Sequence, residues 1–434
     1  MKPNPFFYGN PVSADKFIGR HREQRKIISR LLNQGQSSAI IGDPRVGKTS
    51  LLNYLASETT RNNLYGDKSD QWHFSQVDLT MLEAQCTPAQ FWEHILTPVR
   101  KHTEKDSDSH LAKCYEDCSR KNFVNLALES FFSSLRKADR RLVLLLDEMD
   151  DLLHHPALNT SEFFGGLRSL SSLSQGAFTI IFTSRKSLSE LNAATQELNP
   201  TGSPFFNIFS EITVGPLSEN DTEELLSSAS DRFTDIDRQG IRTLAGNHPY
   251  LLHATAHALW DAYEEDTIDH PEDRQHYILK QVYRELAFFF LETWKVWKPE
   301  IRKTFTFVAV AHQAHLLKKE GLFNKAFLKG ITEWKPELDE LQVRGWILPN
   351  SEFQGGYCLN SQIMLTWLAD ELAKLGRDKQ PLESWLQDKG IDGAFLSVNE
   401  KKIFTKTIAD SVRALYQPTI PMFSAVLQEM TKMQ

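Results

Sequence analysis

Gly42-x-x-x-x-Gly47-Lys48-Thr49 is a spacing that lets a chain hold several phosphate charges at once. Its two glycines tolerate tight backbone conformations, so successive N–H groups can approach anionic oxygens closely. A helix beginning just after Gly47 adds its positive N-terminal end. Residues Gly42, Asp43, Pro44, Arg45, Val46 and Gly47 would form the cradle. Lys48 would reach the β- and γ-phosphates as a point charge, Thr49 would offer its hydroxyl to Mg²⁺, and Ser50 follows in the first helical turn. Apolar Ala39-Ile40-Ile41 precedes the loop, and residues 50–56 follow with helical spacing of their apolar members. That strand–loop–helix context is what the chemistry requires, and it predicts a nucleoside triphosphate site.

Hydrolysis also needs a metal ligand and a base. Leu142-Val143-Leu144-Leu145-Leu146 ends in Asp147-Glu148, the pattern of a central parallel strand whose C-terminal edge meets a ligand. Asp147 is placed to hold Mg²⁺ through water, and Glu148 to orient or deprotonate the attacking water. A further apolar run, residues 177–182, ends in Thr183-Ser184-Arg185, which faces the same edge. Arg185 either reads the γ-phosphate or makes a surface salt bridge. Arg168 is a solvated helix residue or, by analogy with finger arginines, reaches a neighbouring protomer's phosphate. His110, Cys114 and Cys118 share one helix face, but a structural zinc site wants a fourth ligand and none is evident nearby.

These groups need a sheet to carry them. Apolar stretches near residues 38–41, 72–79, 142–146, 177–182 and 209–214 alternate with helical patterns, which predicts an α/β fold with a parallel five-stranded sheet. The polar segment 103–121 reads as a solvated excursion. The segment Phe17-Ile18-Gly19-Arg20, with the helix after it, could cover the base of a nucleotide or simply pack on the sheet. From Gly215 the period becomes helical: a helical lid over 215–298, with Gly246 and Pro249 marking a joint between helices. Phe288-Phe289-Phe290 reads as a buried run. Three helices, the middle one at 324–330, and a hairpin over 299–375 form a winged-helix pattern, and 376–434 reads as a small helical interaction unit with a capping box at Ser397–Glu400. The segment 300–375 carries nine basic and nine acidic residues, so it lacks the charge excess that phosphate contacts need. DNA is a possible partner for it, but an intramolecular or protein-contact role is favoured.

The chain has 434 residues, 41% hydrophobic and 24% charged, with net charge −7, which gives no global attraction to nucleic acid or anionic membrane. No apolar run reaches membrane-spanning length, and four sparse cysteines fit a reduced, cytoplasmic protein.

Together, Asn4-Pro5-Phe6, Phe17–Arg20, residues 42–52, Asp147-Glu148, Thr183–Arg185, Gly215-Pro216-Leu217 and Gly246–Tyr250 resemble the STAND class of signal-transducing P-loop NTPases, within the AAA+-like group that has an extra catalytic strand. The set is also similar to bacterial AAA-like ATPases and, more distantly, to origin-recognition ATPases. The resemblance spans residues 1–375 and implies a switch, with a P-loop core over 1–214. ADP would hold a closed monomer, and exchange to ATP would drive oligomerisation and activation of an effector. It also implies that Pro249 is the lid proline touching the base, that Arg20 lines the base pocket, and that Arg185 senses the γ-phosphate. The chain departs from the class in carrying no long sensor repeat and no effector domain, so either the partners are separate chains or the last fifty residues recruit them. An alternative is a DNA-associated ATPase, a loader, initiator or transposition helper, using the winged helix.

Overall fold

The computed structural model describes residues 3–66, 71–104, 110–264, 271–316 and 333–377, with isolated positions 387 and 390. They fall into two compact units: Pro11–Gly42 with Gly47–Val214, and Met1–Asn10 with Asp43–Val46 and the chain from Gly215 onward.

The first unit is built on five strands: β1 (Ser38–Ile41), β2 (Trp72–Asp78), β3 (Arg141–Asp147), β4 (Phe178–Ser184) and β5 (Ser210–Thr213). All pairings are parallel, in the order β2-β3-β4-β1-β5. β1 and β4 are buried along their whole length, and β3 from Leu142 on, which is why they read as unbroken aliphatic runs rather than as alternation. The edge strand β2 alternates in its second half. One aromatic cluster fills the core on one side: Phe132 stacks on Phe178 at 4.5 Å, and Trp92 tilts against the same ring at 5.6 Å. Because β4 lies between β1 and β3, the end of β4 separates the loop after β1 from the carboxylates after β3.

One expectation for this unit changes. The segment 103–121 is not a polar excursion, since it contains the helix His110–Arg120, which buries Leu111, Tyr115 and Cys118 at a 4-then-3 spacing. The His110, Cys114 and Cys118 ligand atoms do not converge on a metal position among the described residues. Cys114 instead donates to Ser134 Oγ at 3.3 Å, and burial pushes the Cys118 thiol up to about 12.

The second unit is helical. Its helices include Glu219–Ser227, Asp235–Ala245, Pro249–Glu264, Pro271–Val296, Pro299–Leu316, Lys335–Val343 and Gln362–Arg377. Capping boxes at Ser218/Asp221 and Thr234/Asp237 start the first two. An antiparallel hairpin of β6 (Ile347–Pro349) and β7 (Tyr357–Leu359) precedes the last helix. Phe6, near the N-terminus, is fully buried and stacks on Phe233 at 5.5 Å. Of the Phe288–Phe290 run, Phe289 and Phe290 are buried, whereas Phe288 is exposed, because three consecutive helical positions cannot share one face. The helix expected at 324–330 and the capping box at Ser397–Glu400 lie outside the described residues, as does nearly all of 376–434. No helix among the described residues is long and apolar enough to cross a membrane.

The sheet in the first unit constrains one glycine tightly. Gly35 ends the helix His21–Gln34 with φ of 59° and hands the chain to β1. A Cβ there would sit 2.5 Å from Gly176 Cα and 2.8 Å from its carbonyl oxygen, while Thr179 Oγ1 donates to Gly35 O at 2.9 Å. The left-handed conformation alone costs a non-glycine residue about 1–2 kcal/mol, and the backbone collision adds to it. Gly35→Ala is therefore expected to destabilise by about 2–4 kcal/mol, read as a lowered urea midpoint with unchanged m value.

Candidate nucleotide site

Helix formation from Lys48 onward, straight after a buried strand, leaves the loop between them to take the geometry a phosphate needs. Arg45 (φ 58°) and Gly47 (φ 97°) both adopt left-handed backbone conformations, and the helix Lys48–Ala56 starts directly after Gly47. Gly42 N donates to Ser184 O at 3.2 Å, tying the start of the loop to the end of β4. Lys48 is buried and donates through Nζ to Gly42 O at 3.0 Å. No acceptor among the described residues takes the N–H of Gly47 or Thr49, which fits a nest for anionic oxygens. Ser50 Oγ accepts from Val12 N at 3.1 Å, and Phe17 stacks on Tyr54 of the same helix at 4.7 Å. The segment that leads to Arg20 thus packs on the phosphate-loop helix. Arg20 itself is buried, in a left-handed conformation, at the start of His21–Gln34.

The sheet brings Asp147, Glu148 and Arg185 together at the ends of β3 and β4. Thr183 Oγ1 donates to Asp147 Oδ1 at 2.5 Å and accepts from Glu148 N at 2.9 Å. One hydroxyl thereby fixes both the carboxylate and the strained backbone of Glu148, whose φ is 56°. The other Asp147 oxygen meets no hydrogen-bond donor among the described residues, and it and the Thr49 hydroxyl are hard oxygen donors of the kind Mg²⁺ prefers. Arg185 Nε lies 3.3 Å from Glu148 Oε2, with Asp150 and Asp151 each at 3.9 Å from its guanidinium. Burial pushes the Glu148 carboxyl above the usual glutamate range, while Lys48 and Arg185 pull it back.

Sequence reasoning missed Thr183 and Asp150 as parts of the site. Asp150 is buried, accepts from Ser184 Oγ at 3.1 Å and takes the Arg185 N–H at 2.9 Å. The acid-rich run Asp147-Glu148-Met149-Asp150-Asp151 was the available signal. Arg168 is half-buried and donates to Ser203 O at 3.3 Å.

The loop residues Asp43 and Arg45, which belong with the second unit, turn their side chains to that unit. Arg45 donates to Tyr250 Oη at 2.7 Å and lies over its ring at 4.6 Å. Asp43 is held by Arg344, Trp346 and Trp297. Pro44 is half-buried and Val46 buried. Pro249 opens the helix Pro249–Glu264, directly before the tyrosine that Arg45 grips.

An AAA-like domain model matches residues 9–285. No curated protein matches the chain in sequence. Among solved structures, the Walker-type ATPase PABY2304 of Pyrococcus abyssi aligns with a TM-score of 0.52 at 16% identity, over 84% of this chain and 99% of that one. The ORC2 protein of Aeropyrum pernix, solved in ADPNP–ADP complexes, aligns at 0.44 and 12% identity, over 82% and 97%. At such identities the likeness to the Pyrococcus protein speaks for the fold alone. The family match is of another kind, since it runs through more than half of the chain, from ahead of the phosphate-binding loop to past the Pro249 helix: the chain belongs to the AAA-like domain family of P-loop NTPases.

Proposed function

We propose that the chain is an ATP-binding and slowly hydrolysing switch of the STAND type. Exchange of ADP for ATP would control self-association and the recruitment or activation of a separate effector or sensor protein. Residues 1–214 would be the nucleotide core, 215–298 the lid, 299–375 a winged helix, and 376–434 an interaction unit.

The observation that carries this reading is the pairing of Glu148 with Arg185 at 3.3 Å. Burial raises the basicity of Glu148, but the guanidinium offsets part of that and occupies the oxygen that the attacking water would use, so the base is held back until something else claims the arginine. A γ-phosphate is such a competitor, and ADP lacks one. Lys48 and the N–H groups of Gly47 and Thr49 would bind the phosphates, and Pro249 and Arg20 would contact the base. Mg²⁺, held by Thr49 and through water by Asp147, would supply charge neutralisation at the phosphate oxygens. Arg185 would turn from Glu148 to the γ-phosphate, and Glu148 would then take the proton of the attacking water. Hydrolysis that waits on such a rearrangement is slow, as suits a switch.

A second reading rests on the order of helices and hairpin over 299–375, a winged-helix pattern that serves DNA-associated ATPases. Its balanced charge counts against it. The two readings part on duplex DNA: binding at low salt with ATP present, weakening steeply as salt rises, would favour the second reading.

Glu148→Gln is expected to keep ATP binding and cut turnover by about 100-fold or more, measured as phosphate release beside bound nucleotide. Undiminished hydrolysis would mean the base lies elsewhere. Size-exclusion chromatography with ADP and then with a non-hydrolysable ATP analogue tests the switch. A larger assembly is expected with the analogue, and a mass indifferent to nucleotide, with candidate partners also present, removes the reading.

A further inference from the structure

Asp43 is out of place for a loop that holds a polyanion. It follows Gly42 directly, inside the glycine-bounded phosphate loop, and its negative charge would repel what the loop binds. The side chain is only 3% exposed. Arg344 forms an ion pair with Asp43 Oδ1, Trp346 Nε1 donates to Oδ2 at 2.6 Å, and Trp297 Nε1 reaches the same oxygen at 3.5 Å. Three donors from positions more than 250 residues away thus converge on one loop carboxylate.

The donors are themselves held in place. Arg344 uses its other arm on Glu340 Oε1 at 2.6 Å. Gly345 follows with φ of 79°, and a Cβ there would meet the Pro216 ring at 2.3 Å. Trp346 is walled by His248 at 5.3 Å and Trp297 at 5.7 Å. In so closed a setting the cation and the carboxylate act on each other with little screening.

We propose that Arg344, with the Trp346 and Trp297 indoles, determines nucleotide affinity by cancelling the Asp43 charge and directing that carboxylate away from the phosphates. Arg344 is then a positioning residue: it touches no nucleotide, yet the loop accepts a polyphosphate only while the carboxylate is clasped. The proposal rests on the nucleotide-binding reading of the loop and extends it to one remote cation.

The test is equilibrium binding of ADP and of a non-hydrolysable ATP analogue to the full chain by calorimetry. Arg344→Ala is expected to raise both Kd values at least tenfold. Asp43→Asn combined with Arg344→Ala is expected to recover most of that loss, because the repelling charge is gone. Asp43→Asn would also relieve the structural cost of an unpaired buried carboxylate, so the Tm of each variant is read beside its Kd: an affinity loss that appears only with a lowered Tm, or a double variant no tighter than Arg344→Ala, overturns the proposal. Wild-type affinity in Arg344→Ala also overturns it. If Arg344→Ala fails to fold, Trp346→Phe removes one donor and keeps the ring. A several-fold loss in Trp346→Phe, recovered by adding Asp43→Asn, supports the proposal, and unchanged affinity overturns it. Failure of the wild-type chain to bind either nucleotide removes the nucleotide reading and this proposal together, whereas wild-type binding with indifferent variants removes this proposal alone.

Discussion

A charge taken out of water must be met by an opposite charge or by several hydrogen bonds, at a cost otherwise of several kcal/mol per ion. Lys48, Asp147 and Asp150 in the first unit are all buried to that degree. Their partners come from Gly42, Thr183, Ser184 and Arg185. Three of those four lie at or just beyond the end of β4. The order β2-β3-β4-β1-β5 puts β4 where it can meet this requirement. Only a strand inserted between β1 and β3 can present a hydroxyl to Asp147 and, through Ser184, also accept the first N–H of the phosphate loop. The inserted strand is thus a polar scaffold at its tip and an apolar one along its length, and all seven of its residues are buried.

Much of that scaffold was legible in the chain. Five aliphatic residues before Asp147-Glu148 can only be a buried strand, and a glycine-bounded loop between a strand and a helix has few other uses. What could not be read was pairing. Thr183 and Arg185 stood at a strand end in the sequence, but which carboxylates they would meet depends on strand order, which periodicity does not report. Asp150 was hidden by its neighbours, since in a run of acids only burial separates the structural carboxylate from the solvated one. The burial of the helix His110–Arg120 was missed because charged and polar residues surround its apolar ones, although Leu111, Tyr115 and Cys118 kept the spacing of one face. Phe288 shows the reverse error, in which composition was taken for burial without regard to the 100° step between helical neighbours.

Motifs that resemblance ties to the nucleotide carry a structural load within the second unit. Leu217 N donates to Asn247 O at 2.8 Å, and Thr222 Oγ1 donates to Asn247 Oδ1 at 3.2 Å. The Gly215-Pro216-Leu217 and Gly246–Tyr250 segments are therefore one joint, though 28 residues lie between them. A Cβ on Gly215 would meet Val343 O at 2.4 Å, and one on Gly246 would meet Asn360 O at 2.9 Å. Small residues at these positions let backbone pass against backbone, which is sufficient reason for them without any ligand.

That joint bears on the loop chemistry through residue 344. Gly215 and Pro216 press against 343–345, the turn that carries Arg344 and Trp346, and these two side chains reach Asp43. Arg45, two residues further along, is engaged by Tyr250, which follows the other half of the joint. Both charged side chains of the loop tip are therefore committed to protein contacts, and neither is left to serve a phosphate. On the proposed reading, recognition of the polyanion would fall to backbone N–H groups and Lys48, which carry no information about which nucleotide state is bound. The γ-phosphate role proposed for Arg185 would supply that information, since two of its partners, Glu148 and Asp151, are part-exposed carboxylates, although the third, Asp150, is buried.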